Sequence, residues 1–343
     1  MKKMCWGVLV LLSFALAACS QSAVTLNVYN WGEYIDETVL YDFEKETGIT
    51  VNYETFATNE DMYIKVKQGG TKYDVIVPSD YMIARLIAEN ELEKLDTAKI
   101  STYGNIDKRY LGLEFDPKSE YSVPYMWGTF GILYNTTMVD DPVESWDIMW
   151  DPKYRKQILM MDSMRDTLAV AFLRLGYSIN TTDPAHLAEA AQLLIEQKPL
   201  VHAYVGDIGR DMMIAGEAAL AMSFSGDAVS AQERNPDLEY VIPREGTNLW
   251  VDCMVIPKNS GHKKEALLFI DFMNRPEIAR KNVEYIGYAT PNAAAYELLD
   301  EDIKDDPAAY PPDEDLERGG VFVDLGSAAT AEYNRVWTEI KSR

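Results

Sequence analysis

The sequence predicts an α/β protein of two lobes, and three observations predict it. Apolar residues alternate between strand spacing and helix spacing along the chain. Tyr73–Val77 is a run apolar but for Asp74 and stopped by Pro78, the pattern of a strand buried on both faces. At 343 residues, the chain exceeds what one core usually organises.

Taken in order, Thr25–Trp31 alternates around Leu26 and Val28 and reads as a strand. A helix follows from about Asp36, with Val39, Leu40 and Phe43 on one face and Gly48 closing it. Thr50–Phe56 is a second strand, and beyond Pro78 Ser79 opens a helix carrying Ile83, Leu86 and Ile87. This β-α-β-α order implies a mostly parallel sheet covered by helices. In the second half, Gln157–Met161, Ala219–Ser223, Leu238–Ile242 and Val251–Ile256 read as strands. Asp183-Pro184 starts a helix marked by Leu187, Ala190, Ala191, Leu194 and Ile195. Ala266, Leu267, Ile270 and Met273 mark a later helical face, and Tyr333, Val336, Trp337 and Ile340 the last. Asp300–Gly320, acidic and holding Pro307, Pro311 and Pro312, reads as a solvated loop.

Residues 1–18 stand outside this pattern. Lys2 and Lys3 precede a short apolar run that ends in Ala17-Ala18, as in a secretory signal. The junction Leu16-Ala17-Ala18-Cys19 looks like a bacterial lipobox, cut before Cys19, whose thiol then carries a diacylglycerol membrane anchor. The alternative is a plain secretory signal with an incidental cysteine. Loss of Lys2 and Lys3 with the signal takes the formal charge from −23 to −25. Cys5 also leaves, so Cys253 is the one thiol available to the fold and no internal disulfide is expected. Within Cys253-Met254-Val255-Ile256 it reads as a small buried hydrophobe.

With 55 Asp+Glu against 32 Lys+Arg, no nucleic-acid partner is expected, because a polyanion needs clustered Lys and Arg. The acid excess fits a cationic partner, although acidity alone more often serves solubility. His186, His202 and His262 lack metal-ligand spacing, and HExxH, CxxC and EF-hand patterns are absent, so no metal and no cofactor are expected. Gly69-Gly70-Thr71-Lys72 lacks P-loop spacing, and Ser225-Gly226 lacks the preceding Gly of a nucleophile elbow. The sequence points to binding and not to an enzyme.

Polar and aromatic residues gather at predicted strand ends, where open α/β sheets bind ligands. Trp31 and Tyr34 follow the first strand, and Ser79 and Tyr81 follow Pro78. Asp166 and Asp227 follow two later strands. Trp250 and Asp252, two apart in an extended run, point to one side. Tyr288 lies in Ile286-Gly287-Tyr288-Ala289-Thr290-Pro291-Asn292.

Across the chain beyond the signal, the sequence resembles the spermidine/putrescine-binding proteins of polyamine ABC transporters, a branch of the periplasmic-type solute-binding proteins. The resemblance is carried by Tyr29-Asn30-Trp31-Gly32-Glu33-Tyr34, Phe43-Glu44-Lys45-Glu46-Thr47-Gly48-Ile49 and Tyr73-Asp74-Val75-Ile76-Val77-Pro78-Ser79. Pro124-Tyr125-Met126-Trp127-Gly128, Leu175-Gly176-Tyr177-Ser178, Trp250-Val251-Asp252 and the Tyr288 segment continue it. It implies a two-lobed, type II binding-protein fold with the ligand between the lobes. The expected division is a signal at 1–18, a lipidated linker at 19–24, a first lobe of 25–128 and 253–296, and a second of 129–252 and 297–343.

The resemblance further implies a polyamine ligand, permease subunits of an ABC transporter as partners, and Trp31, Tyr34, Ser79, Tyr81, Asp166, Phe224, Asp227, Trp250, Asp252 and Tyr288 as ligand-binding residues. The chain is expected to act as a monomer held outside the cell membrane through Cys19. Four positions depart from the family pattern: Gly32 replaces a hydroxyl residue, Ser163 an Asp, Phe224 a Trp and Phe322 a Gln. A polyamine carries an ammonium at each end of a methylene chain, so carboxylates spaced along an aromatic slot measure its length. Carboxylates in an aromatic cleft also describe a surface glycosidase or carbohydrate-binding lipoprotein, which stays open as the alternative. A structural or adhesive lipoprotein is the third class.

Overall fold

The computed structural model describes residues 24–343, so the signal segment and Cys19 lie outside the described residues. Its strands are β1 (Thr25–Trp31), β2 (Thr50–Phe56), β3 (Val75–Ile76), β4 (Ser122–Asn135), β5 (Ile158–Met161), β6 (Val201–Val205), β7 (Leu220–Phe224), β8 (Leu238–Val241), β9 (Thr247–Val255) and β10 (Gly319–Gly320). They form one curled sheet in the order β2-β1-β3-β9-β4-β7-β5-β6, with β8 beside β4 and β10 beside β9. The parallel pairing expected from β-α-β order holds for β1 with β2 and β3, and for β5 with β6 and β7. Between these groups the long strands β4 and β9 run antiparallel, which makes the sheet mixed.

Strand β4 is the spine. Ser122–Thr129 pairs with β9, and Phe130–Asn135 then pairs with β7 and β8, so one strand serves both halves of the molecule. Consecutive residues on the strands enter different clusters, because a strand projects them to opposite faces. Val75, Val123 and Met254 pack with Leu26, Phe43 and Ile270, while Ile76, Cys253 and Val255 pack with Met82 and Leu86. In the other half Ile132, Met160 and Met222 pack with Trp146, while Leu133, Leu159 and Ala221 pack on the reverse face. Both sheet halves are therefore covered on both sides.

Local chemistry sets the helices that flank the strand ends. In α1 (Glu37–Thr47) the Asp36 carboxylate accepts from Thr38 N, and Gly48 ends the helix at φ +70°. Next come α2 (Asn59–Gln68), α3 (Asp80–Ala88), α4 (Met164–Leu175), α5 (Pro184–Gln197), α6 (Ile208–Ile214), α7 (Ser225–Arg234), α8 (Lys263–Met273) and α9 (Pro276–Ile286). The C-terminal helix Gly326–Ser342 packs through Tyr333, Val336 and Ile340 against Leu168, Leu187 and Leu194.

Asp300–Gly320 is not the solvated loop its composition suggests. It holds two helical turns, Glu301–Lys304 and Asp313–Leu316, and buries Ala308 and Ala309. Tyr310 packs edge-on against Tyr296 and Trp127, with ring centroids 5.1 and 6.1 Å apart. The acidic residues mask a strap whose small and aromatic members face inward. Leu299 and Leu316 pack with the first-half clusters, and Phe322 is buried in the second-half core.

Candidate functional site

Seven of the ten predicted site residues sit where a strand delivers the chain into a loop or helix, while Trp250 and Asp252 lie within β9 and Tyr288 follows the end of α9. Trp31 ends β1, and Gly32, Glu33 and Tyr34 continue from it. Ser79 is the N-cap of α3, and Tyr81 lies in its first turn. Asp166 and Asp227 lie in the first turns of α4 and α7, which follow β5 and β7. Trp250 and Asp252 project to the same side of β9. Tyr288 follows Gly287, whose φ of +86° ends α9. All ten residues, Phe224 included, line one cleft that encloses about 1320 Å³ of empty space, open solvent included.

One wall is a chain of edge-to-face aromatic rings. Tyr34 meets Tyr288 at 5.4 Å, Tyr288 meets Trp250 at 5.1 Å, and Trp250 meets Phe224 at 6.0 Å. Two glycines permit this packing: a Cβ at Gly226 would fall 2.4 Å from the Tyr288 ring, and one at Gly128 would fall 2.6 Å from Trp250. Facing this wall, Tyr81 packs on Phe322 at 6.0 Å, and the Arg165 guanidinium lies 4.9 Å from the Tyr81 ring and 4.4 Å from Phe322. The indole Nε1 groups of Trp31 and Trp250 are buried with no hydrogen-bond partner.

The charge of the cleft is one-sided. Glu33, Glu60, Asp80, Asp162, Asp166, Asp207, Asp227 and Asp252 line it, and among the described residues Arg210 is its one basic lining group. Burial penalises ionised carboxylates and pushes their pKa values up. Asp252 is 4% exposed and burial raises it to about 7, with the neighbouring Ser79 and Tyr34 hydroxyls pulling it partly back. Even so, Asp252 Oδ1 and Tyr34 Oη each lack a hydrogen-bond partner. Burial likewise takes Asp166 to about 6, held down by a hydroxyl hydrogen bond from Ser163 and by Arg165. Asp227 rises to about 7 through burial, and Arg210 draws it back.

Asp80, which is not among the predicted site residues, is fully buried among these groups. Its carboxylate accepts from Tyr81 N at 2.6 Å and from Val251 N at 3.4 Å, and burial raises it to about 8. Its place between Ser79 and Tyr81 was the available signal. Glu60 was also missed; it accepts from Tyr81 Oη at 3.1 Å. Asn59, a third, donates to Ser79 Oγ at 3.1 Å. The four departures from the family pattern have local reasons. At Gly32 a Cβ would lie 2.7 Å from Asp207 Oδ2, Ser163 serves Asp166, Phe224 packs on Trp250, and Phe322 carries Arg165. Among the described residues no cluster of His, Cys, Asp and Glu could hold a metal ion, and no helix is long and apolar enough to cross a membrane.

A two-lobed α/β fold with a cleft at the strand ends, acidic and lined with aromatic rings, defines an extracytoplasmic solute-binding protein. The chain belongs to the bacterial extracellular solute-binding protein family, which it matches over residues 38–311. It is 37% identical over 329 residues to the spermidine/putrescine-binding periplasmic protein of Salmonella typhimurium, covering 95% of this chain and 94% of that one. The solved spermidine/putrescine ABC transporter substrate-binding protein PotD from Streptococcus pneumoniae superposes with TM-score 0.80 at 43% identity, over 93% of this chain and 99% of that one. The Tp0655 (TpPotD) lipoprotein of Treponema pallidum gives TM-score 0.82 at 30% identity, over 93% and 100%. The carbohydrate alternative finds no support in these relatives, which are transport-associated binding proteins.

Proposed function

We propose that this protein captures polyamines, spermidine or putrescine or both, and delivers them unchanged to the permease of an ABC transporter. The observation that carries the reading is the cleft itself, with eight carboxylates against one guanidinium beside a continuous aromatic wall. A buried carboxylate with an unfilled oxygen, such as Asp252, suits an ammonium, because charge-assisted hydrogen bonds exceed neutral ones. Methylenes next to a cation suit the faces of Trp and Tyr, each such contact contributing about 0.5–2 kcal/mol. In this reading Asp252 takes one ammonium and Asp166 another, while Trp31, Tyr34, Tyr81, Trp250 and Tyr288 hold the chain between them. Asp227, the third expected acceptor, lies 3.9 Å from the Arg210 guanidinium. Ser79 and Phe224 complete the walls.

The lobes hinge where β4, β9 and the strap after Tyr296 pass between halves, and ligand favours closure, as in periplasmic binding proteins generally. The first lobe is residues 25–128 and 253–296, to which the packing of Leu299 and Leu316 adds the strap. The second lobe is residues 129–252 and the C-terminal remainder from Phe322, which is buried in its core. Cys19 carries the lipid anchor that keeps a monomer at the outer face of the cell membrane. The lipobox pattern and the Treponema lipoprotein support this.

Isothermal titration with putrescine, spermidine, an amino acid and an oligosaccharide at moderate salt tests the reading. Saturable heat with the amines alone is expected. Silence with both polyamines would overturn it.

A further inference from the structure

Among the described residues Arg210 is the one basic group lining the cleft, and polyamine capture as described makes no use of it. It lies on α6 in the second half of the molecule, with its side chain 14% exposed. One guanidinium nitrogen donates to the Glu33 carboxylate, in the loop that follows β1 in the first half. Another lies 3.9 Å from Asp227 Oδ1, and Nε is buried with no hydrogen-bond partner. Glu33 holds left-handed backbone, φ +49°, to present its carboxylate there. Asp207, one turn earlier than Arg210, reaches toward Gly32 in the same loop. One end of the cleft is therefore closed by a guanidinium shared between the two halves, which stays charged at any working pH.

The surroundings of Asp252 differ. Its neighbours are the Ser79 and Tyr34 hydroxyls and the Asp166 and Asp80 carboxylates, with no cation among them.

We propose that Arg210 is a specificity-determining residue, a built-in cation that occupies the Glu33–Asp227 end and limits how many ligand ammonium groups the cleft neutralises. This rests on the polyamine reading above. A ligand ammonium near Asp227 meets a like charge that already holds the acceptor, so the third ammonium of a triamine gains little there. Removing the guanidinium frees Glu33 and Asp227 and extends the ruler by one charge.

The test measures putrescine and spermidine affinities for the wild type, Arg210→Gln and Arg210→Lys. Arg210→Gln is expected to raise the spermidine-to-putrescine affinity ratio roughly tenfold, the lower end of the 1–3 log units that one charge within about 6 Å contributes. Arg210→Lys, which keeps the charge, leaves the ratio near the wild-type value. Loss of the Glu33 ion pair alone would weaken closure on both amines equally and leave the ratio unmoved, so the ratio separates specificity from a latch. An unchanged ratio in Arg210→Gln, or an equal rise in Arg210→Lys, overturns the proposal.

A measurement on the wild type needs no variant to fold. The two monoacetylated spermidines each lack one terminal ammonium, and one isomer is expected to bind about as well as spermidine. Marked loss with both isomers would show that the far end accepts an ammonium, and would also overturn the proposal. Failure of the wild type to bind any amine brings down the polyamine reading and this proposal with it. Intact binding with an unmoved ratio brings down this proposal alone.

Discussion

Asp116 and Asp252 are equally buried, each 4% exposed, and differ in what surrounds their oxygens. Asp116 accepts from the backbone N–H groups of Glu120, Tyr121 and Ser122 and from the Ser122 hydroxyl, at 2.8–3.0 Å. Its acceptor capacity is spent on holding the turn that leads into β4. Asp252 sits on the neighbouring strand β9 with Oδ1 unfilled, beside a Tyr34 hydroxyl that is also unfilled. A buried polar atom without a partner costs free energy, and such atoms are rare. Two residues of one type and one burial thus have opposite uses. The first is committed to the fold, and the second keeps acceptor capacity on the wall of the cleft.

Asparagine at each position breaks the comparison most sharply. Asp252→Asn removes a charge at nearly constant volume and is expected to weaken polyamine binding about 100-fold, the scale for breaking a desolvated charge pair. Calorimetry reads the loss, and the melting temperature should not fall with it. Asp116→Asn presents an amide to N–H donors and should lower stability by about 2 kcal/mol while leaving affinity intact. Denaturant titration alongside calorimetry checks both halves. If Asp116→Asn weakened binding as much as Asp252→Asn, the distinction between the two acids would be lost. Trp250→Leu follows, with affinity down roughly tenfold from the lost cation–π surface.

The buried acids of the cleft also set a pH dependence. Burial raises Asp252 and Asp227 to about 7, Asp80 to about 8 and Asp166 to about 6. The folded chain therefore holds protons that the unfolded chain has released above the ordinary carboxyl value of about 4. Stability of the ligand-free protein should fall as pH rises from about 4 to 8, because the folded state binds more protons throughout that window. Polyamine affinity should move the other way and strengthen from pH 6 to 8 as the carboxylates ionise. Thermal melts across pH, with and without spermidine, check both signs. Parallel slopes would contradict the assignment.

The comparison also marks what the sequence could disclose. Strands β1 and β2 and the caps at Asp36, Gly48 and Asp183 were legible because they rest on local periodicity and local hydrogen bonds. The ten expected ligand-binding residues came from strand-end patterns and from the family resemblance, and all ten line one cleft. Strand β4 was not read as a strand, because Pro124, Gly128 and Gly131 interrupt its pattern. Those residues answer to neighbours distant in sequence: a Cβ at Gly131 would lie 2.4 Å from the Val241 carbonyl oxygen. The strap through Tyr310 was misread for a related reason, since its acids outnumber the few residues that pack. Arg210 carried no local signal at all, because its partners Glu33 and Asp227 stand far away in the chain. Local chemistry reached the elements, and the cleft's counter-charge appeared only in three dimensions.

Proton release on binding tests most directly whether Asp252 is the ammonium acceptor. Spermidine is titrated at pH 6 in buffers of different ionisation enthalpy, with wild type and with Asp252→Asn. An ammonium arriving beside a carboxyl held at about 7 should expel its proton, so the wild type releases protons and the variant releases about one fewer. Equal release from both proteins, or none from the wild type, would contradict it.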